Sequence, residues 1–242
     1  MIVEAQMKRL KETFGSGESL CDELTPYVRE GHLRHKFIVL PFYTYHFARI
    51  ANQQYEAKKQ RAEEANKKKK WSEYIFIHER PFRLEAFMEI SHRLTYRQYW
   101  KLLAEVWTDC EFPNVNLGVW RTLWTRKISA DDNYPGNRLP RKDEVVFCAL
   151  WTKAHLHGHV ELWRGGRSPK AMRGLSWTTS REKAAWFARR DFGSDSGRPY
   201  LWRAKVPPQR LLAYLSARRE HEVIVDCNRL NSKLITLEPL AP

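Results

Sequence analysis

Val160-Glu-Leu-Trp-Arg-Gly-Gly166, Gly174-Leu-Ser-Trp-Thr-Thr-Ser180 and Arg219-Glu-His-Glu-Val-Ile-Val-Asp226 stand in that order in the last third of a 242-residue chain. The first reads as a short strand ending in Arg-Gly. The second reads as a strand that leads into a helix, with a capping box of Thr179 and Glu182 at the helix start and Ala184, Ala185 and Ala188 along it. The third places Glu220 and Glu222 at the mouth of an apolar strand, where residues two apart face the same side. Tyr200–Val206 alternates as a further strand and stops at Pro207-Pro208. From His159 onward the period is that of short strands and turns.

Upstream the pattern is helical. Residues 113–145 are rich in Pro, Asn and Asp and read as loops around a short helix at 117–126. Val145–Lys153 is an apolar helix or strand. Thr95-Tyr-Arg-Gln98 fits a capping box, and Tyr96, Tyr99, Trp100, Leu103, Val106 and Trp107 share a face of the helix that follows, as core. Phe82–Ser91 reads as a short helix, and Phe37–Phe42 as a buried strand. Trp71–Ile77 has a strand-like pattern that would return beside 37–42. Tyr43–Lys70 contains neither Gly nor Pro, and its apolar residues thin out after Tyr55, as in a helix that leaves the body and is solvated on all sides. Lys58, Lys59, Arg61 and Lys67–Lys70 put seven cations on it, the mark of a solvated arm or of a nucleic-acid clamp diluted by Glu63 and Glu64. Residues 1–30 read as a helix, a break at Gly15-Ser-Gly17 and a second short element. The expected division is a mostly helical region, 1–112, with its basic arm at about 43–70, and a second domain at 113–242.

Composition narrows the class. Hydrophobic residues make up 43% of the chain, too many for disorder throughout. No apolar run is long enough to span a membrane, and the N-terminal residues hold no signal-peptide core. Cys21, Cys110, Cys148 and Cys227 lie far apart, without the spacing of a zinc knuckle or disulfide framework, so a reduced cytoplasmic protein is expected. The net charge of +14 is uneven: residues 1–110 carry 19 Lys/Arg against 15 Asp/Glu, and residues 111–242 carry 23 against 13. A basic second half favours a polyanion (dinucleotide, RNA or DNA), with generic solubility as the plainer reading. His155, His157 and His159 alternate but lack a fourth ligand, so no metal is expected; a place for one of them beside Arg164 is the alternative reading. Gly193-x-x-x-Gly197 reads as a flexible loop, not a phosphate loop.

The three quoted segments, in their order, resemble the Arg–Ser–Glu, toxin-like class of ADP-ribosyltransferases, over about 159–240. In that family a strand ends with the Arg, the next carries Ser-Thr-Ser before an alanine-containing helix, and a Glu-x-Glu opens a later strand. Here the Ser-Thr-Ser slot reads Ser176-Trp177-Thr178, a departure in its middle residue. The resemblance implies an α+β fold, with a helical N-terminal region followed by a split antiparallel β-sheet core around an NAD⁺ cleft. It implies NAD⁺ as co-substrate and no metal.

The chemistry of the residues agrees with those roles. Splitting the nicotinamide–ribose bond creates an oxocarbenium-like cation, which Glu222 would stabilise. Arg164 would fork against phosphate or ribose oxygens, and Ser176 would orient Glu222 by a hydrogen bond. Gly165 would let the backbone approach the nicotinamide amide. Trp177, Thr178, Trp186 and Phe187 would complete the NAD⁺ pocket, and Glu220 would be the base for the acceptor. The alternative for Glu220 and Glu222 is a pair of surface carboxylates matched with Arg218 and Arg219.

The leading functional expectation is mono-ADP-ribosylation of a nucleic acid, RNA first, with Lys67, Lys68, Lys69, Lys70, Arg203, Lys205, Arg218 and Arg219 as phosphate contacts. The alternatives are modification of a protein arginine, hydrolysis of NAD⁺ by water, and a non-catalytic nucleic-acid-binding module on a degenerate scaffold. By family analogy the setting would be a toxin of bacterial anti-phage defence or of a toxin–antitoxin pair, with an antitoxin protein as partner.

Overall fold

The computed structural model describes residues 18–126, 141–190 and 198–240. It is α+β, with two antiparallel sheets and seven α-helices among the described residues. The chain divides into two compact units, Met1–Arg93 and Leu94–Pro242. The division thus falls earlier than the 112/113 boundary expected from composition, because the helix that Thr95 caps packs with the residues after it. The expected N-terminal helix with its Gly15–Gly17 break, and the Gly193–Gly197 loop, lie outside the described residues.

In the first unit, β1 (Val28–Arg29), β2 (His32–His35) and β3 (Ile38–Leu40) form an antiparallel meander. Its first turn is Glu30-Gly31, with φ of 50° and 76°, the left-handed pair that a two-residue hairpin of this twist requires. Three helices follow: α1 (Ala48–Lys67), α2 (Trp71–Ile77) and α3 (Arg83–Ile90). Two expectations are corrected here. Trp71–Ile77 is helical and pairs with no strand; Trp71, Tyr74 and Ile75 are buried at helical spacing, which a short apolar run does not separate from a strand by sequence. The basic helix is also no free arm. Ala48, Ala51, Tyr55, Ala62 and Ala65 form a buried stripe along α1, alanine counting as a packing residue where a neighbouring helix comes close. Of the seven cations between Lys58 and Lys70, five meet carboxylates: Lys58 with Glu79, Lys59 with Glu23, Arg61 and Lys70 with Glu73, and Lys68 with Glu64.

In the second unit α4 (Tyr96–Asp109) has the expected capping box, with Thr95 accepting from the Gln98 N–H and Gln98 reaching back to the Thr95 N–H. After it come α5 (Leu117–Thr125), α6 (Arg141–His157), β4 (Val160–Gly166), β5 (Ser176–Thr178), α7 (Arg181–Arg189), β6 (Tyr200–Val206), β7 (Leu211–Leu215), β8 (Glu222–Val225) and β9 (Ile235–Glu238). The α7 cap is Ser180, one residue past the expected Thr179; its Oγ accepts from the Lys183 N–H and donates to Glu182. Thr178 Oγ1 in turn accepts from the Ser180 N–H, which sets the helix start directly on the strand end. Among the described residues no helix is long and apolar enough to cross a membrane.

The strands form one sheet in the order β7-β8-β5-β4-β6-β9, all neighbours antiparallel. The sheet has a seam. β4 pairs with β6 over seven residues, but with β5 only at Trp163 and Thr178. Beyond that pair the strands separate, Arg164–Gly166 on one side and Ser176–Trp177 on the other.

Candidate active site

A cleft of about 490 Å³ opens at this seam, within the volume range of small-molecule pockets. Arg164, Gly165, Ser176, Trp177, Thr178, Phe187, Glu220 and Glu222 all contribute to its lining.

Arg164 replaces the missing ladder. Where β4 leaves β5, its guanidinium donates from Nη1 to the Ser176 carbonyl and from Nε to the Ala171 carbonyl. One side chain thus spans the seam and ties down the segment 169–173. Gly174 makes room for it: a β-carbon there would overlap the guanidinium. Burial lowers the Arg164 pKa, and Cys227 and Glu222 act in the opposite sense.

Glu222 opens β8, opposite Thr178 on β5 and Leu215 on β7. It is only 6% exposed. Its carboxylate Oε1 accepts a hydrogen bond at 3.0 Å from Nε1 of Trp107, on α4. The expected donor was Ser176. Ser176 instead stands opposite Ile224, two pairs along the ladder, and its contact with Arg164 is through its carbonyl. Trp107 was read from its helical spacing as core, and it is core; the spacing carried no sign that its indole N–H would meet a carboxylate 115 residues away.

Glu220 reaches the cleft by another route than strand alternation. Arg219 and His221 have φ of 55° and 50°, so the chain around Glu220 is a turn, outside β8. Two contacts fix that turn to β5: Thr178 Oγ1 donates to the Glu220 carbonyl at 2.7 Å, and the Thr179 N–H donates to the His221 carbonyl. His221 also meets the Tyr214 hydroxyl through Nδ1, at 2.9 Å. Burial and the charge of Glu222 raise the Glu220 pKa. A carboxyl group in that position is suited to exchange a proton at higher pH than a surface carboxylate.

The remaining expectations divide. Gly165 lines the cleft, yet its missing side chain answers to packing: a β-carbon would overlap the Ala184 carbonyl, where α7 lies against β4. Trp177 is 1% exposed and donates its indole N–H to the Gly174 carbonyl, so its ring is part of the core. Trp186 is 51% exposed on α7, under the Arg190 guanidinium, and does not line the cleft. His155 packs against Trp151, and none of His155, His157 and His159 lines the cleft beside Arg164. Among the described residues no group of His, Cys, Asp and Glu is placed to hold a metal ion.

Of the expected phosphate contacts, Arg218 lines the cleft. Arg203 is engaged by Glu161 and Glu238 on the sheet, and neither it, Lys205 nor Arg219 reaches the lining. Two cations that the sequence reading passed over, Arg167 and Lys170, do line it. They follow the Arg164-Gly-Gly stretch directly, and that proximity was the available signal.

Comparison of the chain with protein-family models, curated proteins and solved structures finds no match.

Proposed function

We propose that the chain is a mono-ADP-ribosyltransferase that splits NAD⁺ and passes ADP-ribose to a nucleic acid, RNA before DNA. The observation that carries this reading is the convergence of Arg164, Ser176, Glu220 and Glu222 on one cleft, from three separate segments. In the proposed reaction nicotinamide leaves with the bonding electron pair, and the buried Glu222 carboxylate stabilises the ribosyl cation left behind. The acceptor attacks the anomeric carbon and gives up its proton to Glu220, whose raised pKa suits it to that task. Arg164, Arg167 and Lys170 give the cleft the positive charge that a pyrophosphate or an RNA backbone would meet. Such an activity directed at RNA inside a cell would make the protein a toxin, with an antitoxin as its counterpart.

The test is incubation of the purified protein with labelled NAD⁺ and cell lysate, followed by separate nuclease and protease digestion. Label released by nuclease supports the RNA reading, and label that follows protein moves the acceptor to the protein class. Glu222→Gln keeps the side-chain shape and is expected to lower nicotinamide release about 10²–10³-fold. Full release by a folded Glu222→Gln protein removes the mechanism, and RNA binding without any release favours the non-catalytic module.

A further inference from the structure

We propose that Trp107 is a positioning residue for Glu222, so that helix α4, which adds no strand to the sheet, belongs to the catalytic machinery; this rests on the transferase reading. The indole N–H and the carboxylate are both buried, with Trp107 2% and Glu222 6% exposed, and they meet at 3.0 Å. A glutamate has several rotatable bonds, and a directional N–H donor in a water-poor wall selects one carboxylate orientation among them. The donor is itself fixed. Its ring stands edge-on to Trp120 at 5.0 Å and to Trp124 at 6.1 Å, both on α5. The connection between β7 and β8 returns the contact. Arg218 Nη2 donates to the carbonyls of Cys110 and Trp107, at 3.2 and 3.4 Å, where the last carbonyls of α4 need donors. The helix end therefore holds the carboxylate, and the segment just before the carboxylate holds the helix end.

The experiment compares Trp107→Phe with the wild type in nicotinamide release from NAD⁺, and repeats the comparison on a Glu222→Gln background. Misplacing one reacting group costs on the order of 10- to 100-fold in kcat, with KM little changed. That loss is expected in the wild-type background and absent in the Glu222→Gln background, because the indole acts through the carboxylate. A residue that only supports the fold would slow both backgrounds alike, and that outcome overturns the proposal. If Trp107→Phe does not fold, replacement of Trp107 by 3-benzothienylalanine keeps the ring shape and lacks the N–H. The indole proton resonance of Trp107, assigned among the ten tryptophans by loss of its peak in Trp107→Phe, is expected to move upfield in Glu222→Ala. An active wild type beside a Trp107→Phe protein of full kcat overturns the positioning role alone. A wild type that releases no nicotinamide overturns the transferase reading and the role together, and leaves the indole shift as the report of a structural contact.

Discussion

The guanidinium of Arg164 occupies the space in which a β-carbon on Gly174 would stand. Two residues ten positions apart are thereby coupled: the arginine can bridge the seam only while position 174 has no side chain. Gly174→Ala is expected to push the guanidinium off the Ser176 and Ala171 carbonyls without opening the core. The overlapping atoms belong to the end of a flexible side chain, so the cost in stability should be about 1–3 kcal/mol, as for modest overpacking. Loss of nicotinamide release should be far larger than that suggests. Thermal melting measured beside the release assay checks it, and a Gly174→Ala protein of wild-type activity would separate Arg164 from the function.

Glu220 links the site to pH. Its raised pKa means that the folded chain keeps a proton there to higher pH than the unfolded chain does. Stability therefore falls as pH rises from the ordinary carboxylate value through the folded one. Glu220→Gln carries no such penalty, and should melt above the wild type at about pH 7, with the difference gone below about pH 4. In activity, transfer should have its acid limb above the ordinary carboxylate range, and Glu220→Gln should leave only a slow residual transfer without that limb. Identical melting profiles for the two proteins across this range would contradict the burial argument.

His35 gives the first unit an acid sensitivity of opposite sign. Its ring lies among Tyr27, Phe37 and Tyr55 at 4.6, 5.6 and 5.2 Å, and its Nδ1 accepts from the Phe37 N–H. Burial first, then Lys36 and His78, lower its pKa from 6.5 to about 4. The unfolded chain takes up the proton first, so stability is whole above pH 6.5 and drains as pH falls toward 4. The full loss is roughly 3 kcal/mol at most. Denaturant melts at stepped pH should show this slope in the wild type and a flatter one in His35→Gln.

The cations at the end of α1 and just after it, Lys67–Lys70, should behave differently towards RNA from those of the cleft. Lys68 and Lys70 are already matched by Glu64 and Glu73, while Lys170 faces the cleft. Lys170→Gln is expected to weaken transfer to RNA and to reduce the salt slope by about one. Gln at positions 67–70 should change the slope little. A steeper loss from the α1 substitutions would return the acceptor surface to that helix.

What could be read from the sequence follows the range of the interactions. The Thr95 cap, the helix at 117–126 and the strands around Arg164, Ser176 and Glu222 rest on local rules, and each lies where those rules put it, with the α7 cap one residue late. Trp71–Ile77 is ambiguous in the sequence because seven apolar-rich residues satisfy the strand and helix periods at once. The packed face of α1 is hidden in the sequence because it is mostly alanine, which leaves no strong hydrophobic stripe. At the candidate site, residue types and order singled out Arg164 and Glu222, but not their partners: the Glu222 donor lies 115 residues away, and the Arg164 acceptors, 7 and 12 residues away, are backbone carbonyls. Neither the Trp107 indole nor the room left by Gly174 has a local signature.

The sequence separation of 115 between Trp107 and Glu222 also orders events in time. A ribosome delivers α4, Arg164 and Ser176 well before either carboxylate. β7, at the sheet edge, has no neighbour until β8 is made, and β8 must enter between β7 and β5. A nascent chain stopped between residues 176 and 219 thus holds Arg164, Arg167 and Lys170 of the cleft and none of the Glu220–Glu222 pair. Under the proposed chemistry, such truncated chains lack both carboxylates that the reaction calls on. The cleft lining is completed in a single late step, when one strand brings in Glu222 and the turn before it brings in Glu220.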